Sequence, residues 1–196
     1  MLTALILAAG ESTRMGRPKA LLPDDHGRPF VARIARTFAA SGVPDIVIVT
    51  GQQHEAIVAA LSGEAEAPVF ARNPDPSRGQ LSSLWTGLDQ IGPGTEAVLM
   101  TLVDVPLIEE STIRAVIDAW RATGAPIVRP AIGERHGHPV LFARELFDEL
   151  RRAPLTEGAK AVVHAHAARV VNVPVGDEGC LVDVDTKDDY DRLIGG

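Results

Sequence analysis

A cluster of positive side chains follows the first apolar run of the sequence. The run Thr3–Leu7 is typical of a β-strand, and three small residues come directly after it: Ala8, Ala9 and Gly10. Three cations follow them: Arg14, Arg17 and Lys19. Backbone N–H groups in such a turn can approach a phosphate closely, and the cations add charge to the same anion. The spacing predicts a phosphate-binding loop that is neither a dinucleotide fingerprint nor a Walker loop. An ordinary loop between a strand and a helix is the alternative.

A carboxylate stands at the end of another apolar run. The residues Ala97–Val103 are almost continuously apolar, which is typical of a central strand covered on both faces. Asp104 follows this run directly. Ligands bind beyond the carboxyl ends of parallel strands, and Mg²⁺ prefers carboxylate and phosphate oxygens. Asp104 is therefore a candidate Mg²⁺ ligand. Capping of the helix that begins near Glu109 is the alternative role.

A third group of polar residues lies at the start of a predicted helix. Gly79 permits a close approach of backbone to ligand, and Ser82 and Ser83 can hydrogen-bond a base or a ribose. Serines at a helix N-terminus also act as simple caps. The phosphate-binding loop upstream favours contact with a nucleotide.

Two histidines, His136 and His138, invite interpretation as a metal site because they are two residues apart. The sequence around them has no further cysteine or histidine that would complete a zinc site. The single cysteine, Cys180, allows no disulfide framework and is expected to be a small, semi-buried side chain. We expect His136, His164 and His166 to face solvent.

The first loop resembles the L-A-[AG]-G-x-S-x-R-M-G-x-x-K-x-L-L signature of the molybdopterin-type nucleotidyltransferases. All fixed positions of that signature are occupied: Leu7, Ala8, Ala9, Gly10, Ser12, Arg14, Met15, Gly16, Lys19, Leu21 and Leu22. The resemblance runs from Leu2 to Leu193 and is strongest in this loop. It implies nucleotide binding by the following residues: Leu7, Ala8, Ala9, Gly10, Arg14, Lys19, Gly79, Ser82 and Ser83. It also implies that Arg14, Lys19 and Asp104 are catalytic.

The resemblance also implies a second metal ligand. The segment Val182–Tyr190 is similar to the family's D-[IV]-D-T-x-[ED]-D-[YL] segment, in which the Asp before Thr binds metal, so Asp185 is the matching position. Asp183 would point the same way along an extended backbone and either assists the site or only neighbours it. Asp104 matches the metal ligand of the family's L-x-D-x-P motif, although Val105 replaces the usual Gln.

Two weaker matches concern the residues that bind the acceptor in the family. The turn Gly137, His138 and Pro139 resembles the family's G-[HN]-P-V turn, next to which the acceptor enters. Lys160 stands where the family often has Arg, and lysine lacks the bidentate geometry of arginine toward phosphate. The resemblance therefore implies acceptor binding by these four residues, with acceptor specificity that can differ at Lys160.

The function implied by the resemblance is a Mg²⁺-dependent nucleotidyl transfer. An acceptor phosphate, such as that of molybdopterin, attacks the α-phosphorus of a nucleoside triphosphate in line and expels pyrophosphate. Ala at position 9 goes with cytidine enzymes of the family and Gly with guanosine enzymes, so CTP is expected rather than GTP. One alternative is the same transfer to a sugar or alditol phosphate. Another is a non-catalytic nucleotide-binding chaperone for a molybdoenzyme partner, which would not need Lys19, Asp104 and Asp185 together.

The elements that position these residues alternate along the chain. The predicted strands are Thr3–Leu7, Asp45–Thr50, Ala67–Phe70, Ala97–Val103, Ala125–Arg129, Pro139–Phe142 and Arg169–Val173. The predicted helices are Phe30–Ser41, His54–Leu61, Leu81–Ile91, Glu109–Thr123, Arg144–Arg152, Gly158–Ala165 and Lys187–Leu193. Such alternation predicts an α/β three-layer sandwich with a mostly parallel, Rossmann-like central sheet, in one domain over residues 1–196. The resemblance specifies this further as nucleotide-diphospho-sugar transferase-like.

Composition excludes several other classes of function. The chain has 196 residues, with 26 acidic residues against 19 lysines and arginines and a net charge of −7. This balance argues against broad nucleic-acid binding, which requires a basic surface. The sequence contains no apolar stretch near the ~20 residues that span a bilayer, and no basic leader precedes the first strand. We therefore expect a cytoplasmic protein without membrane contact. Its oligomeric state is not indicated.

Overall fold

The computed structural model describes residues 1–10, 17–63 and 67–194 of the chain. In these residues eight strands form one sheet: β1 (Leu2–Ala8), β2 (Ile46–Thr50), β3 (Val69–Arg72), β4 (Ala97–Leu102), β5 (Ile127–Ile132), β6 (Arg135–His136), β7 (Val140–Ala143) and β8 (Val170–Pro174). Seven α-helices lie in the same residues: α1 (Phe30–Ala40), α2 (His54–Ala60), α3 (Gln80–Leu88), α4 (Glu110–Thr123), α5 (Phe147–Arg152), α6 (Lys160–Ala165) and α7 (Lys187–Leu193).

The order of the strands places β1 at the centre of the parallel part of the sheet. Neighbouring strands follow the order β3-β2-β1-β4-β7-β5-β6, and β8 pairs with β5. β1 pairs in parallel with β2 and β4, and β5 pairs in parallel with β8. β7 runs antiparallel to both β4 and β5. Because the chain goes from β1 to β2 on one side and returns to β4 on the other, a crevice opens beyond the ends of β1 and β4.

Helices cover both faces of the sheet and give the predicted three layers. Along β1 the side chains alternate: Ile6 packs with α1, α2 and α4, whereas Leu5 and Leu7 pack with α3, α5 and α6. Burial on both faces explains why the central strands are almost continuously apolar. The predicted α/β sandwich with a mostly parallel sheet is confirmed.

Two glycines end helices. Gly42 follows α1 with a φ of +85°, and Gly124 caps α4 in the left-handed conformation with a φ of +62°. Both conformations are easily adopted by glycine alone, so these positions stop the helices. Throughout residues 1–10, 17–63 and 67–194, each helix is too short or too polar to cross a membrane.

Several element boundaries differ from the prediction. β3 begins two residues later than expected, and α3 ends at Leu88 rather than Ile91, just before a turn at Gly92-Pro93-Gly94. Gly158 has a φ of +70° and lies outside α6. The two-residue strand β6 was not predicted, because so short a strand carries no periodic signal.

Candidate active site

Lys19 lies between two carboxylates at the edge of the sheet. Pro18 precedes it in an extended conformation, and Lys19 begins a short 3₁₀ helix that ends at Leu21. The Lys19 ammonium donates to Asp104 Oδ2 at 3.3 Å and also to Asp185 Oδ1. Only 12% of the lysine side chain is exposed, so its charge is balanced by these carboxylates rather than by water.

Backbone hydrogen bonds hold the two carboxylates together. The Val103 N–H donates to the Leu7 carbonyl at 3.1 Å, which continues the pairing of β1 and β4 up to Asp104. The Val184 N–H donates to the Asp104 carbonyl at 2.7 Å and so brings Asp185 next to Asp104. Asp104 and Asp185 therefore converge on Lys19 although 81 residues separate them, as their numbers show.

One oxygen of this cluster is buried without a partner. Asp104 Oδ1 has no hydrogen-bond donor in the part of the chain that the structure describes.

Burial, together with the nearby carboxylates of Asp104 and Asp185, raises the pKa of Asp183, and the Lys19 ammonium opposes this rise. Among the described residues no three histidine, cysteine or acidic side chains are arranged to hold a metal ion on their own. A cation here would need oxygens from a ligand as well.

A C-terminal segment carries Asp185 to the site and is fixed at both ends. The buried Asp177 carboxylate accepts from the Glu109 N–H at 2.9 Å and from the Thr112 hydroxyl at 2.8 Å, at the start of α4. Glu109 occupies the N-cap position of this helix, and its N–H is bound by Asp177 and not by Asp104, which removes the alternative role of Asp104. The Tyr190 hydroxyl donates to the Pro23 carbonyl at 2.8 Å and joins α7 to the segment after Lys19.

The last helix begins with a capping box at Thr186. The Thr186 hydroxyl accepts from the Asp189 N–H, and the Asp189 carboxylate accepts from the Thr186 N–H at 2.9 Å. This reciprocal pair fixes the turn directly after Asp185.

A cavity of about 320 Å³ opens at the crevice. Its lining combines eight of the predicted residues with four that the sequence did not single out, and consists of Leu7, Ala9, Gly10, Lys19, Pro76, Gly79, Gln80, Ser83, Leu102, Val103, Asp104 and Asp185. A second cavity of about 220 Å³ adjoins it along Ala8, Ala9, Gly10 and Lys19 and reaches Gln52. The predicted Arg14 lies outside the described residues.

The two predicted serines occupy different positions. Gly79 precedes α3 with a φ of +89°, a left-handed conformation that favours glycine. Ser82 is buried beneath this turn and donates to the Gly79 carbonyl at 2.7 Å. Ser83 lines the larger cavity. Asn73, which the sequence suggested only as part of a turn, is buried and donates to both serines.

The predicted acceptor turn lies beside the end of β4. The His138–Pro139 peptide is cis, and His138 Nδ1 lies 3.4 Å from the Met100 carbonyl. Because a carbonyl only accepts, Nδ1 carries the proton and Nε2 keeps a lone pair. Burial lowers the pKa of His138, so the imidazole is neutral at neutral pH.

Gly137 fits closely under Cys180, because a Cβ at position 137 would come 2.3 Å from the Cys180 carbonyl oxygen.

Three other residues that the sequence singled out, Lys160, Cys180 and His166, lie away from the cavity lining. Lys160 is exposed at the start of α6 and does not line either cavity in the described part of the chain. Cys180 is buried, and burial raises the pKa of its thiol to about 11, so the thiol stays protonated and unreactive. His166 is partly buried and contacts Glu149 at 2.7 Å, contrary to the prediction that it faces solvent.

Comparison with known proteins places the chain in a family. The sequence pattern of the MobA-like NTP transferase domain matches residues 4–170. The probable molybdenum cofactor guanylyltransferase of Natronomonas pharaonis is 28% identical over 86% of this chain and 77% of its own. The nicotine blue oxidoreductase of Paenarthrobacter nicotinovorans is 30% identical over 98% of this chain and 96% of its own.

Solved structures extend the likeness to the whole fold. The crystal structure of Rv0371c from Mycobacterium tuberculosis H37Rv has a TM-score of 0.82 and 30% identity, over 100% of this chain and 98% of that chain. A second structure of Rv0371c, in complex with manganese, has a TM-score of 0.75. Because the family pattern spans most of the chain, this protein is a nucleotidyltransferase and belongs to the family of MobA-like NTP transferase domains.

Proposed function

We propose that the protein is a Mg²⁺-dependent cytidylyltransferase that transfers CMP from CTP to the phosphate of a molybdopterin-type acceptor. One observation carries this proposal: Lys19, Asp104 and Asp185 converge where β1 and β4 end, at the mouth of the cavity. A transferase of this kind must hold two anions in line and neutralise the charge that develops between them.

The carboxylates fit a divalent cation. Among the described residues Asp104 Oδ1 is buried without a donor, and a carboxylate oxygen is a ligand that a hard cation such as Mg²⁺ accepts. Asp104 and Asp185 would hold the ion, and oxygens of the triphosphate would supply its remaining ligands. When bound, Mg²⁺ lowers the cost of the negative charge that builds up on the phosphates. The manganese complex of Rv0371c supports the use of a divalent metal by a relative.

The chain's own residues supply the rest of the chemistry. We infer that the Lys19 ammonium, held beside Asp104 and Asp185, binds the triphosphate when these carboxylates hold the metal ion, with Arg14 adding charge. The backbone at Leu7–Gly10 lies along the larger cavity, where its N–H groups can bind phosphate or base. An oxygen of the acceptor phosphate forms a bond to the α-phosphorus of CTP while the bond to the β-phosphate breaks and pyrophosphate leaves.

Separate features support the choice of acceptor and the choice of the donor's nucleotide base. Gly137, His138 and Pro139 form a turn next to the Asp104 side of the site and would contact the acceptor phosphate, and Lys160, exposed at the start of α6, would bind a more distant acidic group. Ala9 supports CTP as the donor, whereas the name of the Natronomonas relative points to GTP. The donor therefore has to be settled by competition between nucleotides.

The experiment is pyrophosphate release from CTP, GTP, UTP and ATP, with Mg²⁺ and with molybdopterin, a sugar phosphate or an alditol phosphate as acceptor. We expect release from CTP with molybdopterin, and a larger rise in melting temperature with Mg²⁺-CTP than with Mg²⁺-GTP. Faster release with GTP would move the donor to guanosine, and release with a sugar phosphate would replace the acceptor. If no combination released pyrophosphate, while the protein oxidised or reduced nicotine blue, the compound in the Paenarthrobacter relative's name, the proposal would be wrong.

A further inference from the structure

Asn73 connects the end of β3 to the start of α3 through its side-chain amide. Its Nδ2 donates to Ser82 Oγ at 2.9 Å and to Ser83 Oγ at 3.0 Å. Its Oδ1 accepts from the Asp75 backbone N–H at 3.0 Å. That backbone donor fixes the orientation of the amide, because the opposite orientation would place an NH₂ group against an N–H. Asn73 is only 4% exposed, so water does not compete for these bonds.

The two serines use their hydroxyl protons differently. Ser82 accepts from Asn73 and donates its own proton to the Gly79 carbonyl at 2.7 Å, so its hydrogen bonds are completed inside the protein. Ser83 also accepts from Asn73, but no acceptor for its own proton lies among the residues that the structure describes. Ser83 lines the cavity. Its hydroxyl is therefore left to donate to whatever occupies the cavity.

The position of Ser83 separates it from the charged end of the cavity. Asp104 follows β4, on one side of β1, and Lys19 and Asp185 meet it there. Ser83 lies on α3, which packs on β1 and β2, on the other side. A nucleotide whose triphosphate lies at the charged end would place its nucleoside at the end that Ser83 lines.

We propose that Asn73 is a positioning residue that makes the site selective for cytosine, and that it acts through Ser83. This inference rests on the proposed function, because it takes a nucleoside triphosphate as the occupant of the cavity. Asn73 keeps the Ser83 hydroxyl as a donor. The N3 atom of cytosine is an unprotonated ring nitrogen that accepts such a bond, whereas N3 of uracil carries a proton that would face the serine proton. The pair therefore distinguishes cytosine from uracil at a single ring position.

The test compares binding of CTP and UTP, which have the same ring size. Calorimetric Kd values are measured with Mg²⁺ and without acceptor, so that no turnover is required. Wild-type protein should bind CTP at least about tenfold more tightly than UTP, a ratio worth ~1.4 kcal/mol. The control is Thr86→Val on the same helix, because the Thr86 hydroxyl is bonded to the Ser82 carbonyl at 3.0 Å and does not line the described cavity. This variant should keep the wild-type ratio.

Two variants remove the donor in different ways. Ser83→Ala should bring the two Kd values within about threefold, because the discriminating proton is gone. Asn73→Asp should turn the Ser83 proton toward the new carboxylate and a lone pair toward the cavity, so that UTP binds at least as well as CTP. Each variant should have a melting temperature close to that of the Thr86→Val control, which would show that the fold is kept.

A CTP preference that survives in either variant would overturn this inference and leave the proposed function intact. If Asn73→Asp fails to fold, Asn73→Ala takes its place and should bring the two Kd values within about threefold, because no amide then holds the Ser83 hydroxyl as a donor. A wild-type protein that binds UTP as tightly as CTP would instead contradict CTP as the donor, and with it the proposed function.

Discussion

Lys19 keeps a mostly buried positive charge beside two carboxylates, and each of the three groups depends on the others. With 12% of its side chain exposed, Lys19 has lost most of the hydration of its ammonium group, and Asp104 and Asp185 replace that hydration. A site that concentrates both signs of charge in this way can bind a cation through its carboxylates and an anion through its lysine. This is the combination that a metal-bound triphosphate presents.

Replacing Lys19 with Ala should lower kcat/KM for the nucleotide at least about a hundredfold, or ~2.7 kcal/mol, because the triphosphate loses its buried cation. Lys187→Ala is the matched control, since Lys187 is exposed and its ion pair in the described structure is with Asp191, one helical turn away. Steady-state kinetics with varied CTP measure the effect. Wild-type kinetics in a folded Lys19→Ala protein would show that this lysine is not part of the phosphate site.

Asp24 stabilises the loop that follows Lys19. Its side chain is fully buried, and burial alone would raise its pKa, but the backbone N–H groups of Arg28 and His26 and the nearby guanidinium charges lower the pKa below its usual 3.8. Because the folded pKa is lowered, this stabilisation is present above pH 3.8 and is lost as the pH falls through the folded value. Asp24→Asn should therefore cost about 1–3 kcal/mol of unfolding free energy at pH 7.

The same comparison at low pH tests the sign of the Asp24 effect. Urea unfolding at pH 7 and pH 3 should show a smaller difference between wild type and Asp24→Asn at the lower pH. The control is Asp25→Asn, whose exposed carboxylate contacts Arg33 at 2.8 Å. A difference that grows toward pH 3 would contradict the lowered pKa of Asp24.

Among the elements, the C-terminal segment is the one that completes the site. Asp177 attaches it to the start of α4, the Val184 N–H attaches it to β4, and Tyr190 attaches it to the loop after Lys19. Asp185 is therefore positioned by contacts on both sides of it. Movement of this segment would separate Asp185 from Lys19.

Asp177→Ala should destabilise the protein by about 2 kcal/mol, because it removes the buried acceptor of two hydrogen bonds, from the Glu109 N–H and the Thr112 hydroxyl. It should also raise the Mg²⁺ concentration needed for half-maximal activity, since Asp185 is less firmly held. Asp188→Ala, an exposed substitution in the same segment, serves as the comparison. Denaturant unfolding and a Mg²⁺ titration give the two readouts. An unchanged Mg²⁺ requirement in a destabilised Asp177→Ala protein would limit Asp177 to a structural role.

The elements differ in how well the sequence predicts them. The strands β1 and β4 are continuous apolar runs, so their ends and the carboxylate of Asp104 were predictable. Asp177 carries no local signal, because its partner Thr112 is 65 residues away. Asn73 lies in an Asn-Pro-Asp-Pro turn whose composition explains the turn by itself, and only the fold shows its bonds to two serines.

At the scale of the whole molecule, chain topology brings the site together. Lys19 lies 85 residues from Asp104 and 166 residues from Asp185, yet all three meet beyond β1 and β4. Lys19 and Asp104 meet there because parallel sheets bind ligands where their strand order reverses, and the C-terminal segment adds Asp185. The direct pairing of Lys19 with both carboxylates could not be predicted, because it depends on side-chain packing.

The central claim is that Asp104 holds a catalytic metal, and the most direct measurement is Mg²⁺-dependent pyrophosphate release from CTP by Asp104→Asn. Asn keeps the shape and removes the charge, so we expect release to fall at least about a thousandfold, or ~4 kcal/mol, with the melting temperature nearly unchanged. Asp118→Asn is the matched control, because Asp118 is exposed on α4, and it should keep wild-type activity. Activity of Asp104→Asn within about tenfold of wild type would contradict the claim.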